Sequence, residues 1–216
     1  MTYTLHEAVD VVGQIIPWNY PFAMAGWKLG ASLTVGCTIV LKPASETPLS
    51  ILYAGKLLKE AGFPDGVVNI VPGSGSVAGN ALVGHLDVNK IAFTGSTNIG
   101  KNIMKKAADG LKSITLELGG KSPAIVLEDA DLETTLDGIF DGTMCNYGQN
   151  CSATTRIFVH RSLYDKVLVA LKEKAEKIVI RSGLDESIDM GPLVSEKQMN
   201  TFSATLKKVK KKGRNC

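Results

Sequence analysis

The sequence is poor in cysteine, and the few cysteines it has are scattered. Only 4 of its 216 residues are cysteines, and their spacing fits neither a zinc-ligand pattern nor the disulfide framework of a small secreted domain. The sequence therefore predicts no metal site and a reduced, cytoplasmic chain in which a thiol can stay reactive. The four positions are Cys37, Cys145, Cys151 and Cys216.

A signal peptide and a long apolar segment are also missing. Residues 1–10 contain two acids and no apolar run, which is unlike a secretory signal. The most apolar stretch, residues 22–41, is interrupted by Lys28 and by four glycine or serine positions. This pattern is typical of a buried helix followed by a buried strand rather than of a membrane span, so we expect no membrane partner.

A general excess of basic residues is absent as well. The formal net charge is +3, and residues 207–214 alone hold six lysines or arginines, so the remaining residues sum to −3. A globally basic nucleic-acid binder is therefore excluded. A binder with a basic tail would depend on that one segment, and we expect no nucleic-acid partner.

Apolar strand patterns alternate with helical patterns through the first 120 residues. Apolar strands without polar alternation are typical of a parallel sheet covered on both faces. Thr47 is predicted to cap a helix that has Pro48 at its first position. Strands are predicted at residues 11–16, 37–41, 67–71, 90–93 and 113–118, and helices at 21–35, 47–61, 76–83 and 98–108.

The pair Gly119-Gly120 marks a predicted domain boundary. Beyond it the sequence again alternates between strand and helix, which predicts a second α/β unit. The predicted strands cover residues 123–127 and 156–160, and the predicted helices cover 132–145, 163–178 and 195–212.

Two glycine-rich segments are similar to phosphate-binding loops but match neither pattern. The segment 119–122 lacks the first glycine of a P-loop, because position 115 is threonine. The segment 73–79 follows a strand and opens a helix, but its glycine spacing differs from the dinucleotide fingerprint, and a plain strand–turn–helix fits equally well. The histidines have no acid or thiol at a motif spacing, which favours surface positions for His6, His85 and His160.

Two other residues are candidates for chemistry. Cys151 lies among small residues, close to Arg156, in a turn between a predicted helix and strand. Its thiol is either accessible and reactive or buried and structural. Glu117 lies between Leu116 and Leu118 at a strand end, where a buried carboxylate would be costly if charged and would suit a general base.

Five segments together carry a resemblance to a known family. The chain strongly resembles the NAD(P)-dependent aldehyde dehydrogenase superfamily, from Tyr3 to about Gly213. Within it the resemblance is to the broad branch that includes betaine aldehyde dehydrogenases and other non-phosphorylating members. The segments are Pro-Trp-Asn-Tyr-Pro (17–21), Leu-Lys-Pro-Ala (41–44), the turn 93–100, Glu-Leu-Gly-Gly (117–120) and Gly-Gln-Asn-Cys (148–151).

The resemblance implies a catalytic role for four residues. Cys151 would be the nucleophile that attacks an aldehyde and forms a thiohemiacetal and then a thioester. The side-chain amide of Asn19 and the backbone N–H of Cys151 would form an oxyanion hole. Glu117 would activate the water that releases the carboxylic acid, and Lys28 matches a position that some members use in proton relay, although a surface lysine fits equally well.

The resemblance also implies how NAD or NADP would bind. Lys42 would hold the adenosine ribose, and the turn 95–100 would present backbone N–H groups and a hydroxyl to the pyrophosphate at a helix N-terminus. Many members carry glutamate where this chain has Ser45, so we expect NADP to be tolerated. The implied cofactor-binding residues are Ile15, Pro17, Trp18, Lys42, Ser45, Gly75, Gly95, Ser96, Gly100 and Leu118.

The implied fold is a partial Rossmann-like cofactor domain (9–119), followed by the first part of an α/β catalytic domain (120–216). Residues 1–8 would be the remnant of an oligomerisation hairpin. Because family members are more than twice as long and homo-oligomeric, the chain is expected to be an internal fragment of an aldehyde-oxidising enzyme with little turnover of its own. The alternative is a truncated, non-catalytic fragment that binds nucleotide or partner subunits.

Overall fold

A computed structural model of the protein describes residues 1–211. The chain forms two compact units, the first covering Met1–Gly119 and the second beginning at Gly120. Residues 1–8 of the first unit contain no helix or strand and are exposed. In the part of the chain that is described, no helix combines the length and the apolar character needed to cross a membrane.

The first unit is a five-stranded parallel sheet with helices between its strands. The strands run in the spatial order β3-β2-β1-β4-β5, and every neighbouring pair is parallel. The elements are β1 (Val11–Ile15), α1 (Pro21–Thr34), β2 (Thr38–Lys42), α2 (Leu49–Glu60), β3 (Val68–Ile70), a π-helical turn (Gly75–Gly79), α3 (Asn80–Gly84), β4 (Lys90–Gly95), α4 (Thr97–Ala108) and β5 (Ser113–Leu118). The predicted Rossmann-like parallel sheet, covered by helices on both faces, is confirmed.

Each face of this sheet carries its own apolar cluster. On one face, strand residues such as Ile39 and Leu41 pack with Leu29 of α1 and Ile51 of α2. On the other face, Ile91 and Phe93 belong to a second cluster whose helical members are Leu82 and Val83 of α3 and Ile103 of α4. The burial of both faces explains why the inner strands are apolar throughout.

The helix cap predicted in this unit was wrong. Thr47 does not cap α2, which begins at Leu49 with Pro48 in the capping position and no side-chain cap. The Thr47 hydroxyl donates instead to the carbonyl of Trp18 at 3.4 Å, so it joins two loops and is not available to the helix. The helix predicted at 76–83 is present as a π-helical turn that continues into α3, and Ser74 caps it by accepting from the N–H of Val77.

Gly13 gives a test of how tightly the centre of the sheet is packed. A Cβ at this position would lie 2.8 Å from Ile91 Cδ1 and 3.1 Å from Leu82 Cγ. We expect Gly13→Ala to lower the free energy of unfolding by about 1–3 kcal/mol through overpacking, measured by urea unfolding. Gly26→Ala is the matched control, because no atom lies within 4 Å of its Cβ position on helix α1. Equal stability of the two variants would contradict this packing.

Up to residue 211, the second unit contains a two-stranded parallel sheet, three α-helices and a short 3-10 helix. Its elements are β6 (Ser122–Val126), α5 (Leu132–Met144), a short 3-10 helix (Cys145–Gly148), β7 (Thr154–Val159), α6 (Tyr164–Glu176) and α7 (Glu196–Lys211). Asp131 caps α5 by accepting from the N–H of Thr134 at 2.9 Å, and this hydrogen bond holds the pKa of Asp131 below its usual value. Lys212 and Arg214 of the basic segment lie outside the described residues.

Candidate active site

The predicted cofactor residues of the first unit gather at the carboxyl ends of its strands. Pro17 and Trp18 follow β1, Lys42 ends β2, Gly95 ends β4 and Leu118 ends β5. The strand order reverses between β1 and β4, which is the switch point where doubly wound proteins bind their ligands. Residues that are far apart in the sequence therefore share one edge of the sheet.

Lys42 is buried at this edge, with only 4% of its surface exposed. Its ammonium donates to the carbonyl of Pro43 at 2.6 Å. Burial lowers the pKa of Lys42, and the nearby Glu46 carboxylate raises it in part. The lysine stem passes close to Gly79, where a Cβ would lie 3.6 Å from Lys42 Cδ, so the end of β2 and the start of the α3 segment are packed together.

Ser45 and Gly75 lie beside the same lysine loop. The Ser45 hydroxyl donates to the carbonyl of Gly73 at 3.3 Å, which connects the loop after β2 to the loop after β3. Ser45 and Gly75 are both exposed, and no atom lies within 4 Å of a Cβ built on Gly75. The backbone here is open to an approaching ligand.

Ser96 caps the helix that begins at the end of β4. Its hydroxyl accepts from the N–H of Ile99 at 3.4 Å, and the side chain is exposed at the start of the 12-residue helix α4. Gly100 brings this first turn against β5, since a Cβ there would lie 2.6 Å from Leu118 Cδ2. A helix N-terminus with exposed backbone donors is a favourable site for a phosphate group.

Asn19 and Lys28 are placed by the loop after β1 and by α1. Asn19 is half-buried, two residues before the first residue of α1. Lys28 is half-buried on α1, and burial lowers the pKa of its ammonium. The Glu117 carboxylate opposes that shift and Lys90 reinforces it, so Lys28 interacts electrostatically with both residues.

Glu117 is exposed, and the prediction of a buried carboxylate was wrong. It lies on β5, the edge strand of the sheet, whose side chains alternate between half-buried and exposed. Leu116 and Leu118 pack against the α4-side cluster, and Glu117 faces the other way. A carboxylate on an open strand face is accessible to water, which a general base for hydrolysis requires.

Cys151 of the second unit is exposed, in the turn between the 3-10 helix and β7. The backbone before it is left-handed at three successive residues, with φ of 51° at Asn146, 62° at Tyr147 and 72° at Gly148. Such angles are uncommon for residues other than glycine and cluster at functional sites. The Cys151 thiol is accessible and not buried, and its reactivity stays a prediction.

The segment around Cys151 is held by its neighbours within the second unit. Gln149 accepts from the N–H of Val194 at 3.1 Å through its side-chain oxygen. A Cβ at Gly120 would lie 3.0 Å from the Cys151 carbonyl, so these two backbones approach closely. Arg156 donates from Nε to the carbonyl of Lys121 at 2.7 Å, which gives it a structural partner in the loop that leads into β6.

Two buried polar residues were missed from the sequence. Gln14 in the middle of β1 is fully buried, and Thr94 in β4 is 6% exposed. Both interrupt apolar runs, and that interruption was the available signal. The three histidines are exposed as predicted.

The sheet with helices on both faces and a switch point between β1 and β4 places the chain in the class of doubly wound α/β proteins. Comparison with protein families identifies it further, because the model of the aldehyde dehydrogenase family matches residues 1–216. The chain belongs to the aldehyde dehydrogenase family.

Individual relatives agree with this assignment. The chain is 53% identical over 211 residues to the putative aldehyde dehydrogenase DhaS of Bacillus subtilis (strain 168), covering 98% of this chain and 43% of that protein. It is 47% identical over 213 residues to human aldehyde dehydrogenase 1A1, covering 98% and 42% of the two proteins.

Solved structures support the fold. The NAD+ complex of an aldehyde dehydrogenase from Bacillus cereus superposes with a TM-score of 0.95 at 57% identity, over 97% of this chain and 43% of that one. The NAD+ complex of a betaine aldehyde dehydrogenase from Staphylococcus aureus gives 0.93 at 42% identity, over 96% and 41%. The chain therefore spans about two fifths of the length of the relatives it matches.

Proposed function

We propose that this chain contributes the dinucleotide-binding edge and the nucleophile of an enzyme that oxidises an aldehyde to a carboxylic acid with NAD+ or NADP+. The observation that carries the proposal is the gathering of the family's cofactor positions at the carboxyl ends of four adjacent parallel strands. The first unit would bind the dinucleotide, and the second would supply the thiol. A cytoplasmic location, and subunit contacts through residues 1–8, belong to the same proposal.

The residues at the sheet edge fit a dinucleotide. Lys42 would donate to ribose hydroxyls, and the exposed N-terminus of α4 with Ser96 would face the pyrophosphate. The open backbone at Gly75 and the loop Ile15–Trp18 would accommodate the adenine side. Bound nicotinamide supplies a hydride acceptor, and every other step falls to the chain's own residues.

The proposed chemistry starts at the Cys151 thiolate. Its sulfur forms a bond to the aldehyde carbon, and the carbonyl oxygen becomes an oxyanion that accepts from the Asn19 amide and the Cys151 backbone N–H. Loss of hydride from that carbon leaves a thioester on Cys151. Glu117 then takes a proton from water, whose oxygen displaces the thiolate and releases the acid. Lys28, near Glu117 in charge interaction, would pass the proton onward.

The function can be tested on the chain without requiring repeated turnover. Incubation with NAD+ or NADP+ and a simple aldehyde should produce reduced dinucleotide, detected by its absorbance, and an acyl group on the Cys151 peptide, detected by mass spectrometry after acid quenching. Dinucleotide binding with neither product would overturn catalysis by this chain and favour the alternative of a non-catalytic nucleotide-binding fragment.

Discrimination between NAD+ and NADP+ gives a separate prediction. Position 45 is serine, so no carboxylate stands there to repel a 2′-phosphate, and we expect the two dinucleotides to bind within about a hundredfold of each other. Ser45→Glu should weaken NADP+ binding about tenfold or more relative to NAD+, measured by fluorescence titration.

Glu46 provides the companion measurement. Its carboxylate raises the pKa of Lys42. Glu46 is therefore an acid that follows position 45 directly and interacts with the lysine expected to bind the ribose. Glu46→Gln should favour NADP+ further. A chain that already rejects NADP+ by more than about a hundredfold would contradict the serine interpretation.

A further inference from the structure

The sheet face that carries α1 changes from apolar to polar across its width. Over β2 this face presents Ile39 and Leu41 to the apolar cluster. Over β4 and β5 the same face is mostly polar: Lys90 lies beside Ser113, Ala92 beside Thr115, and Thr94 beside Glu117. The boundary between the two halves lies at Gln14 on the central strand β1, which is paired with Leu41 on one side and with Ala92 on the other.

The Gln14 amide is fixed to helix α1. Its Nε2 donates to the backbone carbonyl of Lys28 and to the hydroxyl of Ser32, both at 2.9 Å. A carbonyl can only accept, so the amide cannot be turned around without losing the first bond. The oxygen Oε1 of a side chain with 0% exposure therefore points away from these partners, and no described residue gives it a hydrogen bond.

Thr94, on the neighbouring strand β4, also has a buried polar atom without a hydrogen-bond partner among the described residues. It is 6% exposed, and no described residue hydrogen-bonds to its Oγ1. In the parallel register Ala92 lies beside Gln14, so Thr94, two residues further along β4, projects from the same face. The residue directly beside Gln14 on β4 is therefore the small Ala92, and Thr94 is the next residue of β4 on that face.

Two buried polar atoms without a protein partner among the described residues, on one face of two neighbouring strands, indicate a ligand small enough to be enclosed. Nearly all buried polar side-chain atoms in proteins have a hydrogen-bond partner, and where protein groups do not supply one, an ordered water does. Such a water makes two to four hydrogen bonds. Gln14 Oε1 can accept one, and the Thr94 hydroxyl can donate or accept another.

Lys28 connects this pair to the proposed chemistry. The carbonyl that Gln14 holds belongs to Lys28 itself. Its ammonium is partly buried and interacts electrostatically with Glu117 of β5 and with Lys90 of β4. A side chain that fixes this turn of α1 against β1 therefore also fixes where the Lys28 stem leaves the helix.

We propose that Gln14 and Thr94 hold an ordered water on the α1 side of the sheet, and that Gln14 is the positioning residue which sets the place of the Lys28 ammonium relative to Glu117 and Lys90. The water and the positioning depend only on the first unit. Their use in proton transfer rests on the proposed function.

The water is tested by nuclear magnetic resonance on the whole chain without dinucleotide or aldehyde. We expect the side-chain amide protons of Gln14 to show a rotating-frame Overhauser contact with a long-lived water. Thr94→Val, which removes the hydroxyl at nearly constant volume, should abolish that contact. Thr94→Ser, which keeps the hydroxyl, should retain it. Absence of the contact in the parent chain, or its survival in Thr94→Val, would overturn the water site.

The positioning role is tested by titrating the Lys28 ammonium with lysine labelled at the ε-carbon. Gln14→Met keeps the length of the side chain and removes its hydrogen bonds, so the ammonium should move towards solvent. Its pKa should then rise by about half a unit, a roughly threefold gain in proton affinity. Ser32→Ala, which removes one of the two acceptors without touching the buried strand, should shift the pKa in the same direction by less. An unchanged Lys28 titration in the folded variants would overturn the role.

These measurements separate the inference from the function it rests on. A chain that never acylates Cys151 can still show the Gln14 water and the Lys28 shift. Conversely, loss of the water contact in the parent chain leaves the acylation result untouched.

Discussion

Cys151→Ser is expected to lower acylation and the accompanying formation of reduced dinucleotide by on the order of a thousandfold or more. The sulfur nucleophile is replaced by a hydroxyl, which ionises far less readily and has no described base to activate it. The thiol is exposed in a turn next to left-handed backbone, so the substitution should leave the fold intact. The measurements are the absorbance of the reduced nicotinamide and the mass of the peptide that contains position 151.

Cys145 provides the matched control for this variant. It is a second exposed cysteine, in the 3-10 helix of the same segment. Cys145→Ser should keep most of the acylation, because the proposed nucleophile is the cysteine that follows Gly-Gln-Asn and not the cysteine that precedes it. If Cys145→Ser lost as much activity as Cys151→Ser, or if Cys151→Ser kept its activity, the assignment of the nucleophile would fail.

The second large effect is expected at Glu117, whose substitution should separate formation of the thioester from its hydrolysis. An amide cannot take a proton from water, so Glu117→Gln should form the thioester and then stop. We expect one equivalent of reduced dinucleotide per chain, followed by a hydrolysis rate about 10²–10⁴-fold below that of the parent chain. The acyl group should persist on Cys151 in the mass spectrum of the variant after it has left the parent chain.

Glu128→Gln is the control for the loss of a carboxylate. Glu128 is exposed and lies 3.8 Å from His160 in the second unit, without any proposed chemical role. Hydrolysis by this variant should equal that of the parent chain. A Glu117→Gln chain that releases its acyl group at the parent rate would show that another group activates the water.

The layout of the fold was predictable because it depends on apolar periodicity. All five strands of the first sheet were expected within a few residues of where they occur, since buried parallel strands are apolar on both faces. Thr47 failed because its hydroxyl bonds to Trp18, which is 29 residues away in the sequence. Local rules for helix caps do not include such a competitor.

The sequence indicated which residues belong to the candidate site, but it did not indicate how buried or exposed each of them is. Glu117 has leucines on both sides in the sequence, which suggests burial. Its exposure is explained only by the position of β5 at the edge of the sheet. The left-handed angles before Cys151 include Asn146 and Tyr147, two residue types from which the sequence does not predict such a turn. Gln14 and Thr94 required the register between strands before their shared face could be recognised.

The central position of β1 in the sheet also sets the order in which strands can pair while the chain is being synthesised. β2 and then β3 can pair with it in turn as they leave the ribosome, but β4 closes the other side of β1 across a separation of 78 residues, as between Val11 and Asn89. At ordinary translation rates that interval lasts roughly 4–16 s. During that time one edge of β1 exposes unpaired backbone, so nascent chains should be most open to chaperones, and to mispairing, just before residue 90 emerges.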